Sequence, residues 1–258
     1  MQIALTIAGS DSGGGAGIQA DLKTFQRFGV FGTSAITAVT AQNTRGVRAV
    51  HPLPVEILSA ELAALAEDLP PAALKTGMLA TRELARAAGE VIERHRWGPY
   101  VLDPVMVASS GHRLLEAGAE RVVRERLLPL AALVTPNLEE AAILAGFPVA
   151  DLASMEEAGR KLLETGARAV LIKGGHLHDE SLVDVLVTAD GVRRFEHPRI
   201  ASTSTHGTGC TLSAAVTAGL ALGRALDEAV ADAIAYVQRA IAAAPGLGGG
   251  RGPLEHNV

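Results

Sequence analysis

The chain has 258 residues, of which 48% are hydrophobic and 3% aromatic, and it carries a formal charge of −5. That length holds one large α/β domain or two small ones, with enough apolar sequence for a substantial core. The negative charge argues against a broad basic surface for nucleic acid, and the scarce aromatics argue against a base-stacking platform. No apolar run is long enough to span a bilayer without a charge or turn signal. The opening MQIALTIAGSDSGGG lacks a basic lead and reads as a first strand rather than a signal peptide, so the cytoplasm is the expected compartment. Cys210 is the single cysteine and excludes an intrachain disulfide.

Strand-like and helix-like segments alternate from end to end. Ile3–Ala8 reads as a strand, followed by the loop Gly9–Gly15 and a helix to about Phe28. A strand near Ser34–Thr40 leads through Gln42–Gly46 to another at Val47–Val50. Ile57, Leu58, Leu62, Leu65 and Leu69 fall at helical spacing. Ala73–Met78 is the next strand, Thr81–Arg96 a helix and Tyr100–Asp103 a short buried strand. No element is assigned between Asp103 and Leu133. Leu133–Thr135 is a strand, Leu138–Leu144 and Met155–Leu163 are helices, and Ala169–Lys173 is a strand before Gly174-Gly175. Asp190-Gly191 between Val183–Val187 and Val192–Phe195 marks a two-residue hairpin. Gly209–Leu222 and Leu226–Ala243 are the closing helices. The glycine-rich stretch Gly246–Gly252 has the composition of a linker, but no foldable length follows it.

Repeated strand–helix units with apolar strands imply a mostly parallel sheet covered on both faces, in a single domain. Ligands of such sheets sit beyond the carboxyl ends of the strands. Six polar or glycine-bearing loops fall there: Gly9–Gly15, Gln42–Asn43, Gly77–Met78, Asp103–Pro104, Pro136–Asn137 and Lys173–Gly175. Each alone is ordinary turn chemistry; six on one edge point to a site.

The most informative segment is Thr205-His206-Gly207-Thr208-Gly209-Cys210-Thr211-Leu212. Glycines before an apolar helix let backbone N–H groups converge on an anion, with the helix dipole adding positive potential. The same field favours a thiolate at Cys210, so a depressed thiol pKa is expected. A plain glycine turn with a small buried cysteine is the other reading. Gly9–Gly17 is neither a P-loop, lacking the lysine and hydroxyl residue, nor a dinucleotide fingerprint. His176 and His178 form an H-x-H with no carboxylate or cysteine pattern to complete a metal site.

Ala8–Asp21 (AGSDSGGGAGIQAD), Thr37–Asn43 (TAVTAQN), Lys75–Leu79 (KTGML) and Leu102–Met106 (LDPVM) together resemble the hydroxymethylpyrimidine/phosphomethylpyrimidine kinases of the ribokinase superfamily. Thr135–Glu140 (TPNLEE), Ile172–His176 (IKGGH), His206–Ser213 (HGTGCTLS) and the ending Gly252-Pro253-Leu254 with His256 continue the match in the family's order. Only Ser12 and Gly13, in a loop, depart from residues that relatives often carry. The resemblance implies a ribokinase-like fold, a homodimer, and ATP with Mg²⁺ as phosphoryl donor. It implies phosphorylation of 4-amino-5-hydroxymethyl-2-methylpyrimidine and then of its monophosphate, in thiamine biosynthesis.

Site roles follow from the same resemblance. Gly207, Thr208 and Gly209 would offer N–H donors to the transferring phosphoryl group, and Lys173 a cation to the ATP phosphates. A strand-end lysine snorkelling to solvent is the bland alternative for Lys173. Asp103 and Glu140 resemble the acidic positions near Mg²⁺, acting partly through water; Asn137-x-x-Glu140 is equally a capping arrangement. Cys210 would take the proton of the substrate alcohol. Gln42 would read a ring nitrogen and exocyclic amine. Gly9, Ala16 and Asp21 resemble substrate contacts, and Met78 and Val105 apolar walls for the ring, although core packing is the ordinary role of such a methionine. A pyridoxal or pyridoxine kinase, or a dual-substrate enzyme, is the nearest alternative. A non-catalytic vitamin- or nucleotide-binding regulator is a third, but it could lose Lys173, Asp103, Glu140 or Cys210, and all four are present.

Overall fold

The computed structural model describes residues 1–107, 114–174 and 181–258, so Gly175, His176 and His178 lie outside the described residues. Its strands are β1 (Ile3–Asp11), β2 (Phe31–Asn43), β3 (Gly46–Pro52), β4 (Ala73–Thr76), β5 (Tyr100–Leu102), β6 (Leu133–Val134), β7 (Ala169–Ile172), β8 (Ser181–Thr188) and β9 (Gly191–Pro198). All join one sheet in the order β3-β2-β1-β4-β5-β6-β7-β8-β9. The six strands from β2 to β7 are parallel, while β3 and the β8–β9 hairpin extend the two sides through antiparallel pairings.

The helices are α1 (Gly17–Arg27), α2 (Val55–Asp68), α3 (Arg82–His95), α4 (Ala119–Val122), α5 (Leu138–Ala145), α6 (Leu152–Leu163), α7 (Thr208–Ala221) and α8 (Leu226–Ala242). Alternation along the strands divides the core between two faces. Val101, Leu133 and Leu171 pack with Leu212, Ala215 and Val216 of α7 and Val230 and Val237 of α8. Their neighbours Leu102, Val134, Val170 and Ile172 face the opposite layer, with Leu58 and Leu62 of α2, Leu84 and Ile92 of α3, and Met155 and Leu162 of α6. The expected mostly parallel, doubly covered sheet is what forms.

Differences from the sequence reading are local. β1 continues through Asp11, so the first three residues assigned to the loop are strand. The segment after β5 contains α4, which runs on into a wide turn at Val123–Leu127 and a tight one at Leu128–Leu130. Three pitches in twelve residues, with Pro129 among them, erase the single period that a pattern search needs. The β8–β9 turn is Ala189-Asp190, because Thr188 pairs with Gly191; Gly191 opens the returning strand.

The site is positioned by topology. β1 leads to β2 on one side and, after α2, to β4 on the other, so chain direction across the sheet reverses beside β1. The carboxyl ends of β1 and β4 therefore flank the crevice where such sheets take ligands. A bulge in β2 opposite Gly9, where the register jumps between Ala8/Ile36 and Ser10/Val39, bends the strand at this point.

Local capping fixes α5 on the same edge. The Asn137 side chain accepts the Glu140 N–H at 2.9 Å, and the Glu140 carboxylate accepts the Asn137 N–H at 2.9 Å. Asn137→Ala removes one half of this capping box and is expected to cost about 1 kcal/mol. Urea unfolding checks it: the midpoint should fall with the slope unchanged.

Candidate active site

α7 begins beside the reversal point with a sharp entry. Gly207 has φ 82°, and a Cβ there would stand 1.9 Å from the Gly15 carbonyl oxygen, so only glycine fits. No side chain caps this helix. Thr208 spends its hydroxyl on the Thr205 carbonyl oxygen at 2.7 Å. The first-turn amides of Gly209 and Cys210 are thus left pointing along the helix axis, the arrangement that binds anions.

Asp103, at the end of β5, is 1% exposed. Its Oδ1 accepts from Lys173 Nζ at 3.2 Å and from Thr135 Oγ1 at 3.3 Å, and its Oδ2 from Ser213 Oγ at 3.2 Å. Lys173 follows β7, where its N–H is held by the Pro136 carbonyl at 2.9 Å. A Cβ on Gly209 would lie 3.2 Å from Lys173 Nζ, so the glycine lets the ammonium approach the start of α7. Glu140 is nearly buried in the same cluster and interacts electrostatically with both Lys173 and Asp103. The capping reading and the charge-cluster reading of Glu140 both hold, since one carboxylate does both. Among the described residues no three His, Cys, Asp or Glu side chains gather into a metal cage.

Behind α7 lies a second ion pair. Lys75, in the middle of β4, has no exposure, and its Nζ lies 2.7 Å from Asp21 Oδ1 and 3.4 Å from the Cys210 carbonyl oxygen. Asp21 Oδ2 accepts from Thr6 Oγ1 at 2.6 Å. Asp21 is also without exposure, so its carboxylate is occupied by Lys75 and Thr6 rather than open to a ligand.

The remaining expected residues line the β1–β2–β4 side. Gly9 faces Met78, whose sulfur would be 3.1 Å from a Cβ at that glycine. The Ala16 N–H donates to Asp11 Oδ2 at 2.9 Å. The Gln42 side chain meets His206 at 2.9 Å, and His206 meets Asp11 at 2.8 Å. Val105, two residues beyond Asp103, is half-buried against the core. Gly207, Thr208, Gly209, Cys210, Asp103, Lys173 and Glu140 thus form one cluster, and Gly9, Ala16, Gln42 and Met78 a neighbouring one across the β1 loop.

Comparison with known proteins gives this edge its context. The family model for phosphomethylpyrimidine kinase matches residues 11–255. A hydroxymethylpyrimidine/phosphomethylpyrimidine kinase of Rhizobium meliloti is 52% identical over 257 residues, covering 98% of this chain and 96% of the relative. The chain belongs to the phosphomethylpyrimidine kinase family. A bifunctional thiamine biosynthesis protein of Geobacter sulfurreducens is 50% identical over 98% of this chain, which spans 51% of that relative's length. The ADP complex of Bacillus subtilis pyridoxal kinase superimposes with a TM-score of 0.93 at 40% identity, covering 99% of this chain and 97% of that one. The fold is ribokinase-like and the protein is a kinase.

Three residues of this kinase's site were not singled out by sequence reasoning: Asp11, Lys75 and His206. Each left a trace. A lysine inside the apolar strand Ala73–Thr76 must be buried and paired, and an aspartate before a glycine run has amides to collect. His206 carries no such local signal, because its partners lie 195 and 164 positions away.

The expectation of a depressed Cys210 pKa is overturned. Burial pushes the thiol up to about 11, against the pull of Lys75 and the Gly17 amide, with Asp21 and Asp103 adding to the rise. Desolvation outweighs the helix terminus. In the ligand-free kinase, alkylation of Cys210 by iodoacetamide should therefore climb about tenfold per pH unit through the neutral range, following the thiolate fraction. A rate already level near neutral pH would contradict it.

Glu140 is raised to about 7 from 4.5 by burial, against the attraction of Lys173. The native chain then keeps a proton that the unfolded chain has released, so this group's contribution to stability falls as pH rises from about 4.5 through about 7. Glu140→Gln lacks the titration. Measured by denaturation across that window, parental stability relative to the variant should decline with pH and level off above it.

Proposed function

We propose that this kinase transfers the γ-phosphoryl group of ATP to the hydroxymethyl oxygen of 4-amino-5-hydroxymethyl-2-methylpyrimidine, and then phosphorylates the monophosphate to the diphosphate, as a step in thiamine biosynthesis. The observation that carries this reading is the meeting of Lys173, Asp103 and the uncapped start of α7 beside Cys210. Phosphoryl transfer asks a protein for aligned oxygens and a positive surround more than for covalent chemistry. The free first-turn amides of Gly209 and Cys210 and the Lys173 ammonium supply that surround, and Thr208 fixes the turn through Thr205.

Asp103 and Glu140 fit a Mg²⁺ ion held with water and nucleotide phosphate, since magnesium takes one or two carboxylates and keeps much of its hydration. When bound, the ion would neutralise phosphate charge. Cys210 would accept the alcohol proton in its thiolate form, with Lys75 and Lys173 as the protein's own counterweights to that charge. Gln42 reads the ring edge, Gly9, Ala16, Met78 and Val105 border it, and Asp21 acts from behind through Lys75. The same reading takes the chain as a single kinase domain, a homodimer and a cytoplasmic protein. No helix among the described residues is long and apolar enough to cross a membrane.

A pyridoxal or pyridoxine kinase, or a dual-substrate enzyme, is the second reading, favoured by the close superposition on a pyridoxal kinase. ATP consumption with the pyrimidine and with pyridoxal, measured side by side, separates the two.

Cys210→Ala provides the sharper test. It should slow phosphorylation of the alcohol by about 10²–10⁴-fold, the range for a positioned general base. Phosphorylation of the monophosphate should suffer much less, because that nucleophile is already anionic. A variant damaged in folding would lose both steps alike. Parental turnover of the alcohol by Cys210→Ala would remove the base assignment.

A further inference from the structure

Three side chains from distant parts of the sequence meet at one ring nitrogen. His206 Nε2 lies 2.8 Å from Asp11 Oδ2 and 2.9 Å from the side-chain nitrogen of Gln42. Asp11 also accepts N–H groups from Gly13 at 2.8 Å, Gly15 at 3.0 Å and Ala16 at 2.9 Å. Burial alone would raise its pKa, but these bonds and His206 hold it below the ordinary carboxylate value. Asp11 is therefore ionised and can only accept.

It follows that His206 Nε2 carries a proton and donates it to Asp11. The opposite tautomer would set two lone pairs against each other at 2.8 Å. A protonated Nε2 has no lone pair for the –NH₂ group of Gln42. The two ends of a side-chain amide have nearly the same shape, and turning it over about its last bond exchanges them. With its oxygen toward His206, Gln42 becomes a second acceptor of the one Nε2–H, shared with Asp11 as a three-centre bond, and its –NH₂ group points away.

Resting on the reading of Gln42 as the pyrimidine contact, we propose that Asp11 and His206 are positioning residues that set the Gln42 amide. In this arrangement Gln42 offers a donor to the substrate, and the site selects an aromatic ring that presents an unprotonated acceptor at that edge. The ring of His206 is itself fixed on both sides. Its backbone N–H donates to the Gly252 carbonyl at 3.1 Å, and it bridges to Pro253, while Gly15 packs against its Cδ2 edge.

Two measurements test this. Imidazole nitrogen NMR on the intact parental protein reads the tautomer with no substitution. A proton on His206 Nε2 is expected, and a neutral ring protonated only at Nδ1 overturns the proposal. Equilibrium binding of three probes reads the consequence: the hydroxymethylpyrimidine and its two analogues in which one ring nitrogen is replaced by C–H. On the parental chain one analogue should bind about 5- to 30-fold more weakly than the pyrimidine, the worth of one hydrogen bond in a desolvated site. His206→Phe should lose that discrimination by weakening the pyrimidine to the level of the analogue. Discrimination retained by a folded His206→Phe overturns the positioning role. If Gln42→Ala binds all three probes as the parental chain does, the Gln42 contact itself is wrong and the proposal falls with it. Gln42→Ala tells these two failures apart, since it loses the discrimination when only the positioning role is wrong and changes nothing when the contact itself is wrong.

Discussion

The ammonium of Lys75 has no exposure to solvent, and the arrangement of the site depends on what it holds. Through Asp21 it ties β4 to α1, through the Thr6 contact of that carboxylate it reaches β1, and through the Cys210 carbonyl it touches the first turn of α7. Burial works against its charge, but Asp21, Cys210 and Asp103 outweigh that and hold its pKa above the ordinary lysine value. Removing either partner of such a pair costs about 3–5 kcal/mol, whereas replacing both with well-packed apolar residues is often neutral or stabilising. Stability alone therefore gives a weak reason for a lysine in this strand. A fixed positive charge directly beneath Cys210 gives a stronger one.

Charge around the start of α7 is closely balanced. Lys75 and Lys173 face Asp21 and Asp103, two against two, with Glu140 as the fifth member. Burial pushes both the Glu140 carboxyl and the Cys210 thiol upward, with Asp103 adding to each rise and Asp21 to that of the thiol. Added positive charge would relieve both shifts at once.

Much of the architecture was legible because it follows from rules that act locally. Apolar strands alternating with helices specify a parallel sheet, and a parallel sheet puts all six polar loops on one edge. The Asn137–Glu140 capping box and the left-handed Gly207 are likewise written in four or fewer neighbouring residues. What could not be read depends on distance or burial. Cys210 stands at a helix N-terminus by sequence, and the field there favours a thiolate; only the packing of α1, β4 and β5 around it shows that desolvation wins. Asp21 reads as a ligand contact until Lys75 is seen to occupy it. The irregular helical run from Ala119 to Leu130 has no single period to detect.

The glycine-rich stretch before the C-terminus shows how composition misleads when backbone contacts carry the structure. Arg251 N–H donates to the Thr44 carbonyl, Gly252 N–H to the Thr203 carbonyl, and the Gly252 carbonyl receives His206. Beyond it Leu254 and His256 are buried, with His256 on the Thr211 hydroxyl of α7 and its carbonyl on the Tyr236 hydroxyl of α8. A helix that leaves its first amides free spends no side chain on capping itself. Its start must be braced from outside, and here the brace comes from Asp11 and Gly15 on one side and the returning tail on the other. The openness of the α7 terminus and the docking of the tail thus belong together: a helix start whose amides stay free is held in place by contacts from outside the helix.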